Sequence, residues 1–186
     1  MTTATVTPTL HAPAARRPHP TLSPSPGAAA APLAPPAIPP DAMTADDLER
    51  HLLGSFPEVQ TRDHCGYRFF FAGADHHLPF ASLAASDNPY DEVSDLGRPG
   101  VFRVNFALAP TTFEALFPAG SGDIGGIDYT VLDQFLPHPH YARQHFACIL
   151  NPGGQNGDLL KAYLAEAHAL AGRRLAAKDP TGSQLQ

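Results

Sequence analysis

Apolar residues recur in the early part of the chain at helical spacing. Leu48, Leu52 and Phe56 are four positions apart, so they fall on one face of a helix. Thr44 precedes this pattern as a residue that can cap a helix, and Asp47 stands three positions later, where a capping-box partner belongs. The pattern therefore predicts an amphipathic helix that begins at Thr44 and ends at Phe56.

Alternating apolar residues predict strands farther along, and the clearest strand covers residues 101–109. Its apolar face consists of Phe102, Val104, Phe106 and Leu108. The opposite face carries Arg103 and Asn105, so we expect that face to point toward solvent or a binding site. Further apolar and aromatic runs predict strands at residues 59–64, 67–71, 78–85 and 145–150.

Later segments have helical patterns. Thr111 begins a Thr-Thr-Phe-Glu sequence that resembles a capping box, which predicts a short helix ending at Phe117. Residues 128–136 predict a second short helix, and apolar spacing over residues 158–174 predicts a longer one. Strands grouped between helices are typical of α+β proteins and not of alternating βαβ units. We therefore predict one mostly antiparallel sheet of about five strands, with helices packed on one face.

The composition changes sharply near residue 42. Residues 1–40 hold 11 of the 21 prolines and contain no Asp or Glu. Because proline has no N–H donor and disrupts helices, we expect a disordered Pro/Ala-rich tail over residues 1–42, followed by one domain over residues 43–174. Residues 175–186 are expected to form a disordered C-terminal tail. Met43, directly before a capped helix, also resembles a natural protein start, which would make the first tail an over-long gene start.

The domain is acidic, since residues 43–174 carry 16 Asp and Glu against 9 Lys and Arg, a net charge of −7. Nucleic-acid affinity comes largely from cationic contacts to phosphate, so we expect no nucleic-acid partner. No run of 18 apolar residues exists, so we expect no membrane span. Cys65 and Cys148 form no CxxC pattern, which favours reduced thiols in a cytoplasmic protein. No GxGxxG or GxxxxGK[ST] motif occurs in a suitable context, and we expect no cofactor.

The histidines invite a metal hypothesis. His138 and His140 are two positions apart, so they share one face of an extended segment, and His145 follows. This cluster would serve a metal-assisted hydrolase. The chain lacks an HExxH motif and a cysteine-based zinc pattern, and we therefore predict no metal site.

The loop before the clearest strand is rich in charge. A paired-carboxylate mechanism could use Asp91, Glu92 and Asp95, but acidic residues in a Gly/Pro loop are more often solvated turn formers, which is the role we expect. Asp95 and Arg98 are three residues apart, and a hydrogen-bonded pair between them would hold this loop against the strand. Binding of a ligand carboxylate or phosphate by Arg98 or Arg103 is the alternative.

A binding cleft is predicted where the two polar segments of the chain enter strands. A small antiparallel sheet would bring these segments close together. The candidate cleft residues are Asp95, Arg98, Arg103, Asn105, His138, Tyr141 and His145. The alternative is that the pair Asp95–Arg98 and His138 hold loops and bind no ligand.

Two phrases resemble a family of small bacterial proteins of unknown function. They are Ser-Asp-Leu-Gly-Arg-Pro-Gly-Val-Phe-Arg, from Ser94, and Pro-His-Pro-His-Tyr, from Pro137. Phe146 stands where relatives commonly have Trp. A more distant resemblance to the MmcQ/YjbR-like proteins, which are compact α+β domains, concerns the fold and transfers no function.

The absence of a recognised catalytic constellation in the sequence shapes the functional prediction. There is no GxSxG motif, and Cys65 has only His64 as a basic neighbour. We therefore predict a non-enzymatic module that binds an unknown small molecule or protein. The alternative is the metal-assisted hydrolase that uses His138, His140 and His145.

Overall fold

The computed structural model describes residues 37–74, 76–118 and 126–178. The helices are α1 (Ala45–Ser55), α2 (Pro110–Leu116) and α3 (Gly154–Lys178). The strands are β1 (Val59–His64), β2 (Tyr67–Ala72), β3 (Ala81–Ala84), β4 (Arg103–Ala107), β5 (Leu136–Pro137) and β6 (Phe146–Leu150). A short 3₁₀ helix (Ala142–Gln144) precedes β6. No helix within these ranges is both long and apolar enough to cross a bilayer.

The six strands form one antiparallel sheet in the order β1-β2-β3-β4-β6-β5. This confirms the predicted α+β class. The five predicted strands are present, and the sheet has a sixth strand, β5, that pairs with β6. Strands β1 to β4 lie side by side in chain order, with a tight turn between β1 and β2 and a long loop between β3 and β4.

One face of the sheet carries the main hydrophobic core, and all three helices pack against it. Phe70, Val104 and Phe106 point from the strands into this core and are fully buried, with Leu52 from α1 and Leu164 from α3. Fully burying a Leu or Phe side chain contributes about 1.5–3 kcal/mol. The predicted apolar face of the strand over residues 101–109 is therefore confirmed as the core face.

The opposite face of the sheet is covered by loops. Leu96 and Val101, from the loop before β4, pack against Ala84 of β3 and Leu150 of β6. Arg103 and Asn105 lie on this face and are buried, at 0% and 2% exposure. Of the two predicted alternatives, solvent or a binding site, open solvent does not apply to these two side chains, because polar loops fold back over this face.

The segment that was predicted to be a helix at residues 128–136 has an irregular path that ends in β5. Asp128 Oδ1 accepts hydrogen bonds from the backbone N–H and the hydroxyl of Thr130, at 2.9 and 2.7 Å. Asp133 has a left-handed backbone with φ of 53°, and its N–H donates to the carbonyl of Leu150. Local side-chain bonds to the backbone compete with helical ones, which explains why the helix prediction was wrong.

The two predicted helix starts have different outcomes. The capping box of Thr44 and Asp47 is confirmed in both directions, Thr44 to the Asp47 N–H and Asp47 to the Thr44 N–H. The capping box at Thr111 is wrong, because α2 begins one residue earlier, with Pro110 in its first turn. Glu166 of α3 replaces the side-chain cap by accepting a hydrogen bond from the Ala109 N–H at 2.7 Å. Tertiary structure, not local sequence, satisfies this helix terminus.

Ordered contacts and helix are described on both sides of residues 43–174, the predicted domain. Ala42 pairs with Gly153 as an isolated bridge, and Ile38 packs against the apolar cluster of Ala84, Leu96, Val101 and Leu150. These two residues of the predicted tail therefore contact the domain. The last helix continues four residues beyond its predicted end, to Lys178. The other residues of both predicted tails, 1–36 and 179–186, lie outside the described ranges.

A tight turn joins β1 to β2, as the sequence predicted. Cys65 and Gly66 have φ angles of 49° and 80°, the left-handed values that a two-residue hairpin requires. A Cβ atom on Gly66 would lie 2.6 Å from Oγ of Ser86, so both conformation and space favour glycine there.

Candidate ligand-binding site

A pocket of about 720 Å³ opens on the loop-covered face of the sheet. We call it the sheet-face pocket. Ser82 and Asn105 form its base, since they are buried neighbours on β3 and β4. Phe69 of β2 and Phe146 of β6 contribute aromatic walls. This volume is in the range of sites that hold small organic ligands.

The rim of the pocket is apolar and open to solvent. Tyr90 is 84% exposed, and Leu78 and Tyr141 are about half exposed. Exposed hydrophobic groups that gather around a concave site are typical of a binding surface. The rim thus suits a ligand that is partly apolar.

Asn105 leaves a hydrogen-bond acceptor at the base of the pocket. Its Nδ2 donates to Oγ of Ser82 at 3.1 Å, whereas its Oδ1 is buried and has no partner in the described part of the chain. An unsatisfied buried polar atom costs about 1–3 kcal/mol. The Ser82 hydroxyl accepts this bond, so its own proton is available for donation. The base therefore presents one acceptor and one donor.

His138 adds a second donor. Its Nδ1 accepts hydrogen bonds from the backbone N–H groups of His140 and Tyr141, at 3.1 and 3.2 Å. A neutral imidazole that accepts at Nδ1 carries its proton on Nε2. Burial, and secondly the charge of Arg103, lower the pKa of His138 to about 3. His138 thus lines the pocket as a neutral group whose remaining nitrogen is a donor.

A buried ion pair borders this part of the pocket, because Asp91 belongs to the lining and its partner Arg103 lies behind it. Arg103 donates to Asp91 from both terminal nitrogens and to Oγ of Ser94 at 2.7 Å. The Tyr67 hydroxyl donates to Asp91 at 2.5 Å and accepts from Arg103 at 3.1 Å. The prediction that Asp91 is a solvated turn former was wrong, since this residue is buried.

The electrostatics of this cluster keep the pair ionised. Burial raises the pKa of Asp91, but the hydrogen bonds from Arg103 and Tyr67 outweigh it, and the net shift is downward. Burial likewise lowers the pKa of Arg103, but its bonds to Asp91 leave it raised overall. Burial and the bond to Asp91 raise the pKa of Tyr67 to about 12. The two charges offset one another, so the cluster adds little net charge to the pocket.

The predicted cleft residues divide into three groups. Asn105, His138 and Tyr141 line the sheet-face pocket. Arg103 lies behind the lining and contacts it through Asp91 and Tyr67. The other three, Asp95, Arg98 and His145, do not contribute to the lining.

Arg98 holds the loop before β4 through backbone carbonyls. It donates to the carbonyls of Ser94, Asp95 and Thr130 at 2.9 to 3.0 Å. The carboxylate of Asp95 is 3.5 Å from Arg98 Nε, and the Asp95 side chain is 63% exposed. The loop is therefore tied to the segment near Thr130 mainly by the guanidinium, not by the predicted carboxylate pair.

His145 and His138 have different surroundings in the fold. It adopts a left-handed backbone with φ of 61° at the end of the 3₁₀ helix, and its ring contacts Phe113 of α2 edge-on. His140 lines the pocket, with Nε2 3.8 Å from the Asp91 carboxylate. Across residues 37–74, 76–118 and 126–178, no three His, Cys, Asp or Glu side chains gather as metal ligands would.

A cysteine and a histidine meet at the mouth of the pocket. Cys65 Sγ lies 3.2 Å from His64 Nε2, and both exposed residues line the pocket. Nucleophilic catalysis also needs a group that orients the base. In the part of the chain that the structure describes, no hydrogen bond links His64 to such a group. Buried Cys148, whose pKa is raised to about 12 by burial, is inert.

Sequence reasoning missed Ser82, Asp91 and Tyr67. Ser82 stands within an apolar run, and a polar residue there is the signal that points to the second face of the sheet. Tyr67 alternates with Phe69 on that same face. No local signal marks Asp91, because its burial depends on a loop that folds over β4.

The fold and this pocket define a single-sheet α+β domain with a concave site on the face away from its helices. The family model described as "Family of unknown function (DUF6194)" matches residues 43–180, and the chain belongs to this family. No curated protein and no solved structure matches the chain. The distant resemblance to MmcQ/YjbR-like proteins stays a prediction.

Proposed function

We propose that this domain is a non-enzymatic binding module that holds an uncharged small organic molecule in the sheet-face pocket. The observation that carries the proposal is the unpartnered Oδ1 of Asn105 at the base of the pocket. A ligand donor that reaches this atom would remove the cost of an unsatisfied buried acceptor.

An uncharged ligand fits the electrostatics. His138 is neutral at physiological pH, and the carboxylate of Asp91, which lines the pocket, is paired with Arg103 behind it. Arg174, which is exposed, adds a further fixed charge to the lining. A charged group deep in the pocket would lose its hydration with little electrostatic compensation.

A small molecule is favoured over a protein partner as the main occupant. The exposed residues Leu78, Tyr90 and Tyr141 would suit either one. However, the unpartnered acceptor, Asn105 Oδ1, belongs to a buried side chain at the base of the pocket, below this rim. A compact ligand reaches such a depth more readily than a flat protein surface does.

Titration with the uncharged fluorescent dye prodan tests the proposal. Gln144 and Arg143 are adjacent in the 3₁₀ helix and both are exposed, but only Gln144 lines the pocket. We expect saturable, one-to-one binding to the wild type. Gln144→Trp, which fills the mouth, should weaken binding about tenfold or more. Arg143→Trp should retain it.

The matched pair separates pocket binding from adsorption. Equal affinities in both tryptophan variants would mean that the dye binds elsewhere. Absence of saturable binding by the wild type would overturn the proposal.

A further inference from the structure

The base of the pocket presents its hydrogen-bonding groups in a defined order across the sheet. Ser82 on β3 and Asn105 on β4 are direct partners in the strand register. His138 follows β5, which lies two strands beyond β4 with β6 in between. Its N–H donates to the Phe146 carbonyl, which extends this edge pairing by one residue. In the order across the sheet, Asn105 therefore lies between Ser82 and His138, which line the same pocket and offer a hydroxyl and an Nε2–H as donors.

Hydrogen-bond complementarity sets what the ligand must offer. Asn105 Oδ1 needs an N–H or O–H group, and it cannot take one from the neighbouring protein groups described. The two flanking donors need acceptors, for which carbonyl oxygens are suited. An N–H group beside one or two carbonyls supplies this pattern in a single rigid edge.

The walls favour a planar ring. Tyr67 and Phe69 stack on one another on the β2 side, with ring centroids 5.6 Å apart. On the β5–β6 side, the ring of Tyr141 lies 5.0 Å from that of His138 and 6.3 Å from that of Phe146. Aromatic groups on both sides of a pocket contribute stacking to a flat ligand.

We infer that the sheet-face pocket recognises planar, uncharged heterocycles through a lactam or imide edge. The ligand N–H donates to Asn105 Oδ1, and its adjacent carbonyls accept from Ser82 and His138. This inference rests on the proposed function and narrows it to a chemical class. By the same pattern, a lactone, which has no N–H, and an aromatic hydrocarbon should bind more weakly than a lactam of the same shape.

Competition against prodan with two probe compounds tests the inference. Quinazolinedione has an imide edge on a planar bicyclic ring. Its N,N′-dimethyl derivative keeps the ring and both carbonyls but has no N–H donor. We expect quinazolinedione to displace the dye from the wild type at a concentration about tenfold or more below that of the dimethyl compound. The exposed variant Glu114→Gln should show the same preference.

Two variants locate the recognition. Asn105→Leu should bind the two compounds equally, because the acceptor is gone. His138→Asn retains an acceptor for the backbone N–H groups of residues 140 and 141 but has no Nε2–H, so both compounds should weaken. If Asn105→Leu does not fold, His138→Asn still tests the inference.

The outcomes separate this inference from the proposed function. If prodan binds but quinazolinedione fails to displace it, or if both compounds compete equally, the imide inference is wrong and the binding pocket stands. A preference that persists in Asn105→Leu would also overturn the inference. If prodan itself does not bind, the proposed function fails and the inference falls with it.

Discussion

Protonation of buried His138 should destabilise the fold as the pH falls. Its ordinary pKa of 6.5 is lowered to about 3 in the folded protein, mainly by burial. Between these two values the unfolded chain binds a proton that the folded chain does not. Unfolding therefore gains protons in this range, and the free energy of unfolding decreases with falling pH.

The magnitude follows from the two pKa values. In the unfolded state His138 is mostly neutral at about pH 7 and almost fully protonated at about pH 5. The linkage relation then gives a loss of about 2 kcal/mol over that interval, which is a large fraction of a typical domain stability. Folded His138 does not titrate until much lower pH, so the loss continues to grow toward the folded-state pKa.

His138→Asn isolates this contribution. The asparagine oxygen can accept from the backbone N–H groups of His140 and Tyr141, as Nδ1 of the histidine does, but it does not titrate. Urea denaturation of both proteins at several pH values measures the free energy of unfolding. We expect the difference between the two proteins to change by about 2 kcal/mol from about pH 7 to about pH 5.

A parallel pH dependence in the two proteins would refute this reasoning. Such a result would mean that the folded protein accepts the proton on His138 without cost. An NMR titration of the His138 ring provides a direct check, since the ring should remain neutral down to acidic pH. Protonation near the ordinary pKa would contradict the burial argument.

Three other substitutions have defined expectations. Arg103→Met should lower the free energy of unfolding, measured by urea denaturation, by about 3–5 kcal/mol, because Asp91 is then buried without its partner. Adding Asp91→Asn to this variant should restore part of the lost stability. A small effect would mean that Arg103 is not structural. Leu164→Ala should cost about 2–5 kcal/mol by the same measurement, since the side chain is fully buried in the core; a neutral result would place that face of α3 outside the core. Gly66→Ala should lower the melting temperature, because its φ of 80° and the nearby Ser86 hydroxyl both disfavour a side chain, and an unchanged melting temperature would contradict this account of the turn.

The candidate site was only partly accessible to sequence reasoning. Alternation correctly put Arg103 and Asn105 on the face of β4 opposite the core. The alternation did not show that Asn105 lines a pocket whereas Arg103 is buried behind it, because residues two positions apart in a strand lie on the same face. The partner that distinguishes them, Asp91, is twelve residues from Arg103 in the chain and reaches it through a loop.

Local sequence determined the elements whose stabilising contacts are themselves local. The spacing of Leu48 and Leu52 and the cap at Thr44 specify α1, because these interactions lie within a few residues of each other. The tight turn at Cys65-Gly66 and the alternation in β4 have the same local origin. These patterns were sufficient for the α+β class and for the core face of the sheet.

Only the tertiary structure decided the features that depend on distant partners. Glu166 of α3 satisfies the start of α2, and β5 exists because β6 offers it an edge. The pocket arises where loops from two parts of the chain cover the second face of the sheet and leave Asn105 Oδ1 unpartnered among the described residues. Such groups are brought together by chain folding over tens of residues, and no spacing in the sequence records that proximity.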